Sequence, residues 1–532
     1  MEGAGPSGRV RELARPVSLA FRFPIVLAAA IVVITGLHFY GLAQAPPGLY
    51  VDEASMGYAG WSISIDGRDE HGAAWPLFFE SFGDWKSPVS IYLTAAAVKV
   101  FGLSTPIVRG VPSELSLLAA ALFGVLVWRL FRQRWLALGA LVTAGILPWL
   151  FVLGRTAITE AAAVPALLLL FLLAWQWAEE NVRWHRALIA GVLLGLSAYA
   201  YATMRLFLLL LILAMIAAYL PQLRTHGRAV VAAGYAALAV YCPVIVWNFQ
   251  HPDALTARFT EVSIFSQANT PREIAAYFWR AYSSAFSLGF LFQTGDPWGR
   301  HSTGHGGELY LALAPLLAWG LIGVWRRRRE PFWRLIAIGL VLAPVPAALT
   351  IQLSHASRNM EAVPFLLLIA ALGAAELSKD LKGIPMRPGL ATGLVALLLV
   401  EMASFTFDYF TAYPQRVWYW FDTGLSTAVE AAQAARQPGH IVVLSDQIDQ
   451  PALMYAFLTR EDPRVYREFG VGGGGAVVGH LQDERYLRGT VVIAKPDEKV
   501  SPAREIYTAS LQGQDDWGKP TNTVIYRVWM VE

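Results

Sequence analysis

PPGLYVDEASMGY, residues 46–58, follows the first long apolar run of the chain, which begins near Phe23. Asp52 and Glu53 stand side by side where a segment leaving a membrane turns into linker. As ordinary loop, the pair is solvated charge. As a site, it is the first acidic pair beyond the first span. The topology of the remaining chain decides which reading holds.

The 532 residues are 55% hydrophobic and only 15% charged, with mean hydropathy +0.44. Soluble domains carry about a quarter charged residues, so the composition points to a polytopic membrane protein. A net charge of +3, with arginines in short clusters, excludes a nucleic-acid binder. Cys242, the single cysteine, excludes a disulfide framework and a cysteine-based metal site. The abundant tryptophan and tyrosine suit a chain with two membrane interfaces to line.

A basic N-terminal tail runs into roughly twenty apolar residues without a clear cleavage site, which predicts a retained first span. Ten more runs of spanning length follow between residues 110 and 407, so the expected total is about eleven transmembrane helices. Pro88–Phe101 is apolar but about fourteen residues long, the length of an interfacial segment. If it lies on the membrane without crossing, every basic cluster falls on one side. These are Arg9/Arg11/Arg15/Arg22, Arg129/Arg132/Arg134, Arg183/Arg186, Arg224/Arg228, Arg326–Arg329 and Lys379/Lys382/Arg387. The positive-inside rule makes that side cytoplasmic. Residues 1–22 then form a cytoplasmic tail and 23–407 the transmembrane domain, with external loops at 44–108 and 248–307. Residues 408–532 form an extracytoplasmic α/β domain, its helix and strand patterns running from STAVEAAQAARQ to NTVIYRVWMV. The GVGGGG run at 470–475 lacks the setting of a phosphate-binding loop and reads as a flexible turn.

The first external loop interleaves acids with Trp61, Trp75, Phe78, Phe79, Phe82 and Trp85. Much of it must therefore pack, and a partly desolvated carboxylate needs a partner or a task. Lys86, Arg155, Arg205, Arg300 and Arg358 break the positive-inside trend, all at the external boundary. Basic groups beside an acidic loop fit a pocket for a lipid-linked phosphate. Taken alone, Arg155 and Glu160 read better as helix-end charges. His301 and His305, separated by glycine, make a poor metal pair, and His355 and Asn359 sit at another external helix boundary.

VDEASMGY after a first helix, DWKSP before an amphipathic segment, and the GR…E boundary at 154–160 together resemble the GT-C membrane glycosyltransferases. More narrowly they resemble the bacterial family-39-type enzymes, relatives of the protein O-mannosyltransferases and of the aminoarabinose transferase acting on lipid A. The likeness covers about residues 20–407 and is strongest over 46–92 and 154–165. RHSTGHGG and SHASRNMEAVP fit the same group.

The resemblance implies transfer of a sugar from a polyprenyl-phosphate carrier to an acceptor hydroxyl of a lipid, glycan or protein on the external face of the plasma membrane. Asp52 would be the general base and Lys86 the phosphate ligand. Asp84 falls where the family often has an acid, and Glu160 where it has its second. Glu53 is a further catalytic candidate. Arg155, Arg205, Arg300 and Arg358 are phosphate-side candidates from topology, and His301, His305, His355 and Tyr58 are other pocket candidates. No cofactor is required; a divalent metal is compatible but not indicated. The chain departs from the pattern in reading KSP for KPP, and it lacks the MIR domain of the eukaryotic enzymes and the WWDYG signature of oligosaccharyltransferases. A lipid-linked sugar flippase, or a non-catalytic scaffold for envelope polysaccharide assembly, are the competing readings.

Overall fold

The computed structural model describes residues 17–382, 387–481, 486–514 and 520–532. Most of the expected cytoplasmic tail, including Arg9, Arg11 and Arg15, lies outside the described residues. The chain is mainly helical, and its helices are apolar well beyond one face, as burial in lipid on one side and protein on the other requires. Among the described residues, seven stretches are long and apolar enough to cross a membrane: Arg22–Phe39, Thr105–Phe131, Glu160–Glu179, Ala202–Gln250, Pro331–Ala348, Ala362–Asp380 and Gly389–Thr411. A pair bent by 49°, Arg134–Gly145 and Pro148–Gly154, makes an eighth if it counts as one span. The bend falls at Pro148, which cannot supply the amide hydrogen that would continue the helix. Ala202–Gln250 contains two helices, Ala202–Tyr219 and Leu223–Gln250. An eleven-span count needs both of these to cross separately, and the fourteen-residue helices Trp184–Ser197 and Leu313–Arg326 to cross as well.

Lipid tails are as apolar as leucine, so close helix packing in a membrane relies on small residues. A methyl group on Gly320 would sit 1.9 Å from the Ile369 carbonyl oxygen, and one on Gly373 would sit 1.8 Å from that of Leu316. Leu313–Arg326 and Ala362–Asp380 thus meet backbone to backbone. Gly373→Ala is expected to destabilise the fold by about 1–3 kcal/mol, because backbone must move to admit the methyl. Thermal unfolding in detergent checks this; Gly389→Ala, which meets nothing within 4 Å, is the neutral control.

Four early helices frame the site: α1 (Val17–Phe39), α2 (Val51–Asp66), α3 (Pro88–Phe101) and α4 (Thr105–Phe131). Between α2 and α3 stands a hairpin not expected from the sequence, β1 (Phe79–Ser81) and β2 (Asp84–Lys86). Phe82 and Gly83 turn it, both with positive φ (55° and 74°), as a tight two-residue hairpin connection requires. Side chains alternate along a strand. Asp84 and Lys86 therefore share one face of β2, while Trp85 packs on the other against Trp247, with ring centroids 5.0 Å apart.

The C-terminal region carries a five-stranded sheet in the order β4 (Ala476–Gly479), β3 (Val442–Ser445), β5 (Val491–Ala494), β7 (Pro520–Val531), β6 (Ala503–Gln514). β3 runs parallel to β4 and β5, and β7 runs antiparallel to β5 and β6. The glycine-rich run holds an internal acid: the amides of Gly472 and Gly473 donate to the Glu461 carboxylate. This unit docks on α2. Ala54, Met56 and Tyr58 share one apolar core with Leu444, Tyr455 and Phe457, and Arg467 pairs with Asp66.

Candidate active site

The first turn of α2 sends its two acids in different directions. Glu53 is fully buried and its oxygens accept from Arg109 Nε and Nη2, both at 2.7 Å. They also accept from the amides of Tyr50 and Ala157, each at 3.0 Å. Every favourable approach to this carboxylate is occupied by a donor. Arg109 extends the clamp through Nη1 to the carbonyls of Leu42 and Pro46 and through Nη2 to that of Gly48. Glu53, expected as a catalytic candidate, does not line the cavity, and its bonds all go to this clamp.

Asp52 faces the other way. Lys86 Nζ lies 3.0 Å from Asp52 Oδ1 and 3.7 Å from Asp84 Oδ2. Burial alone would lower the lysine pKa, but Asp52, Glu160 and Asp84 outweigh it and raise the value. The ammonium stays charged. Glu160 is buried behind this pair, and its Oε1 accepts from the Ser87 amide at 2.8 Å. It thereby anchors the junction where β2 becomes α3.

These groups line a cavity of about 730 Å³, together with Arg205, Arg258, Arg300, His301, His355 and Arg358. Arg205 donates from Nη2 to Ser87 Oγ at 3.2 Å and stacks over the Phe78 ring. Arg300 lies over Tyr50, Trp298 and Trp420. Arg205 Nε and Arg358 Nη1 are buried with no hydrogen-bond partner among the described residues. Buried donors in that condition call for a partner, a ligand or an ordered water. The cavity lining also includes apolar side chains, Leu209, Val244, Ile245, Phe249, Leu255 and Phe265 among them. Phe249 and Phe265 are also exposed on the outer surface.

Beside Arg300, Asp296 accepts from the amides of Trp298 and Ala356 and from His301 Nδ1. Burial, with the charges of His301, Arg358 and Arg300, pushes His355 far below the ordinary imidazole range, so it is neutral. Burial, with Asp296 alongside, pushes Glu308 well above the carboxylate range.

Three further expected residues lie elsewhere. Arg155 is fully buried and donates to the carbonyls of Leu37, His38, Tyr40 and Ala45, closing the end of α1. It does not line the cavity; Nη1 and Nη2 are spent on these carbonyls, and Nε is buried with no hydrogen-bond partner among the described residues. His305 is half exposed, bonded to Ser404. Tyr58 donates to the Glu461 carbonyl and packs on Tyr466, away from the cavity. The residue that sequence reasoning passed over is Arg109. Its signal was an arginine at the external edge of an apolar run of spanning length, where a basic group calls for a partner.

Comparison with protein-family profiles and with curated protein sequences gives no match. Solved structures do match. ArnT from Cupriavidus metallidurans in the apo state aligns with TM-score 0.57 and 13% identity, over 96% of this chain and 98% of that one. The same protein bound to undecaprenyl phosphate aligns with TM-score 0.56 and 12% identity over the same shares. The archaeal oligosaccharyltransferase AglB from Archaeoglobus fulgidus, in complex with an inhibitory peptide and a dolichol-phosphate, gives TM-score 0.45 at 14% identity, over 83% of this chain and 64% of that one. The chain is a multi-pass membrane protein with the GT-C fold.

Proposed function

We propose that the chain is an inverting glycosyltransferase, moving a sugar from a polyprenyl-phosphate donor to an acceptor hydroxyl on the extracytoplasmic face. The observation that carries this reading is the mixed lining of the cavity. Lys86, Arg205, Arg258, Arg300 and Arg358 offer charge to a phosphate, and Leu209, Val244, Ile245, Phe249 and Phe265 offer apolar surface to a hydrocarbon tail. The structural neighbour with undecaprenyl phosphate bound supports a lipid-phosphate donor for this fold.

In the proposed reaction Asp52 removes the acceptor hydroxyl proton as the acceptor oxygen bonds to the anomeric carbon. The bond from that carbon to the phosphate oxygen breaks, and its electron pair leaves on the phosphate. Lys86, Arg205, Arg300 and Arg358 face the charge that develops there. Single displacement inverts the anomeric centre. A retaining route needs a second free carboxylate, yet Glu53 is enclosed by four donors and Glu160 is committed to the Ser87 amide. A flippase would need polar groups along a path through the bilayer, whereas the acids of this cavity, Asp52, Asp84 and Glu160, gather around Lys86.

Incubating purified enzyme with a panel of polyprenyl-phosphate sugars and acceptors, then identifying the donor consumed and the anomer formed, tests the reading. Retention at the anomeric carbon, or no consumption of any donor, overturns it. Lys86→Gln is expected to weaken binding of a polyprenyl phosphate by about 10- to 100-fold, the cost of one charge-assisted bond of about 1.5–3 kcal/mol. Native mass spectrometry or calorimetry with the unglycosylated carrier lipid measures this directly.

A further inference from the structure

Asp296, His301 and His355 come from two separate loops, yet one ligand atom of each lies within 4.8 Å of the others, and all three residues are buried. His301 Nδ1 stands 3.0 Å and His355 Nδ1 4.0 Å from the same Asp296 oxygen, Oδ2. The His355 nitrogen is buried, aimed at that oxygen, and has no hydrogen-bond partner among the described residues. Next to it, Glu308 Oε1 accepts from the Asp296 amide while its Oε2 is also buried without a partner among the described residues. His301 and His355 both open onto the cavity.

We infer that Asp296, His301 and His355 form a binding site for one divalent transition-metal ion of the zinc class, with a remaining coordination position toward the cavity. Two imidazoles and one carboxylate are a ligand set suited to such ions, and three protein ligands with one open position is the arrangement of reactive sites, not closed structural ones. Bonds of about 2.0–2.2 Å need donor atoms about 3–4 Å apart. The cluster meets this with small side-chain rotations, the His301–Asp296 hydrogen bond being exchanged for the shared cation. Arg300 and Arg358 oppose a cation by charge, while Asp296 favours it. Metal binding stands apart from the glycosyltransferase reading; only the further step, that the ion adds positive charge beside the donor phosphate, rests on it.

The test uses the full-length protein in detergent, stripped with chelator and titrated with zinc chloride in the absence of lipid and acceptor. Wild type is expected to retain one equivalent of zinc by elemental analysis. His355→Gln and His301→Gln are expected to lose it, and His305→Gln, altered at the exposed histidine, to keep it. Equal retention in wild type, His355→Gln and His301→Gln overturns the site, as does a folded wild type that holds no stoichiometric zinc. If the glutamine variants do not fold, His355→Cys loaded with cobalt decides: a thiolate-to-cobalt absorption band supports the site and its absence in folded protein overturns it. Zinc binding without turnover on any donor would sink the transferase reading alone; turnover without zinc binding would sink this one alone.

Discussion

Asp52→Asn is expected to lower the turnover rate by about a hundredfold to ten-thousandfold, the range general-base catalysis supplies, while polyprenyl-phosphate binding survives. The substitution keeps shape and removes only the capacity to take a proton. Its second effect runs in the opposite direction. Lys86, 3.0 Å from Asp52 in the wild type, loses an ionic partner and becomes freer for a phosphate. Donor affinity should therefore stay level or rise as turnover collapses, a divergence that mere unfolding would not produce. Single-turnover transfer and equilibrium binding of the carrier lipid measure the two quantities separately. Turnover near the wild-type rate would end the assignment of Asp52 as base.

Arg109→Leu is expected to cost about 3–5 kcal/mol of stability, because it strands the buried Glu53 charge without its partner. Both side chains are wholly excluded from solvent, so water cannot take the place of the guanidinium. The paired replacement Glu53→Leu/Arg109→Leu should recover part of that loss by removing the uncompensated charge. Recovery should be incomplete, because the amides of Tyr50 and Ala157 and the carbonyls of Leu42, Pro46 and Gly48 lose partners. Unfolding midpoints in detergent at fixed lipid content give the comparison. An Arg109→Leu protein as stable as wild type would refute the clamp.

The membrane fold was legible because apolar length and the side on which arginine falls are one-dimensional properties. The same signal located Arg205, Arg300 and Arg358, which do reach the cavity. It selected Arg155 equally, and there it pointed to a different cause, since a helix end with unpaired carbonyls attracts a buried guanidinium as readily as a phosphate does. Asp52 and Glu53 could not be separated by inspection. Neighbours on a helix point about 100° apart, and which direction is inward depends on α4, folded from a later segment. His301 was read beside His305, its sequence neighbour, whereas its spatial neighbour is His355. Long-range convergence of this kind leaves no local pattern. Within the C-terminal sheet, the apolar strands β3 and β5 were visible, and β6, which reads AREIYTASLQGQ, hid behind its polar residues.

The short connection from α1 to α2 is gripped by two guanidinium groups, Arg155 on residues 37–45 and Arg109 on residues 42–48. A phosphate on a lipid carrier has its depth set by the bilayer surface. In the proposed reaction, a base that must meet the sugar on that phosphate needs the same reference plane. Stapling the connection to the end of a spanning helix supplies it: the altitude of Asp52 above the hydrocarbon is inherited from α1 and does not drift with a loop. The acceptor side can then be remodelled around a reaction centre whose height is already set.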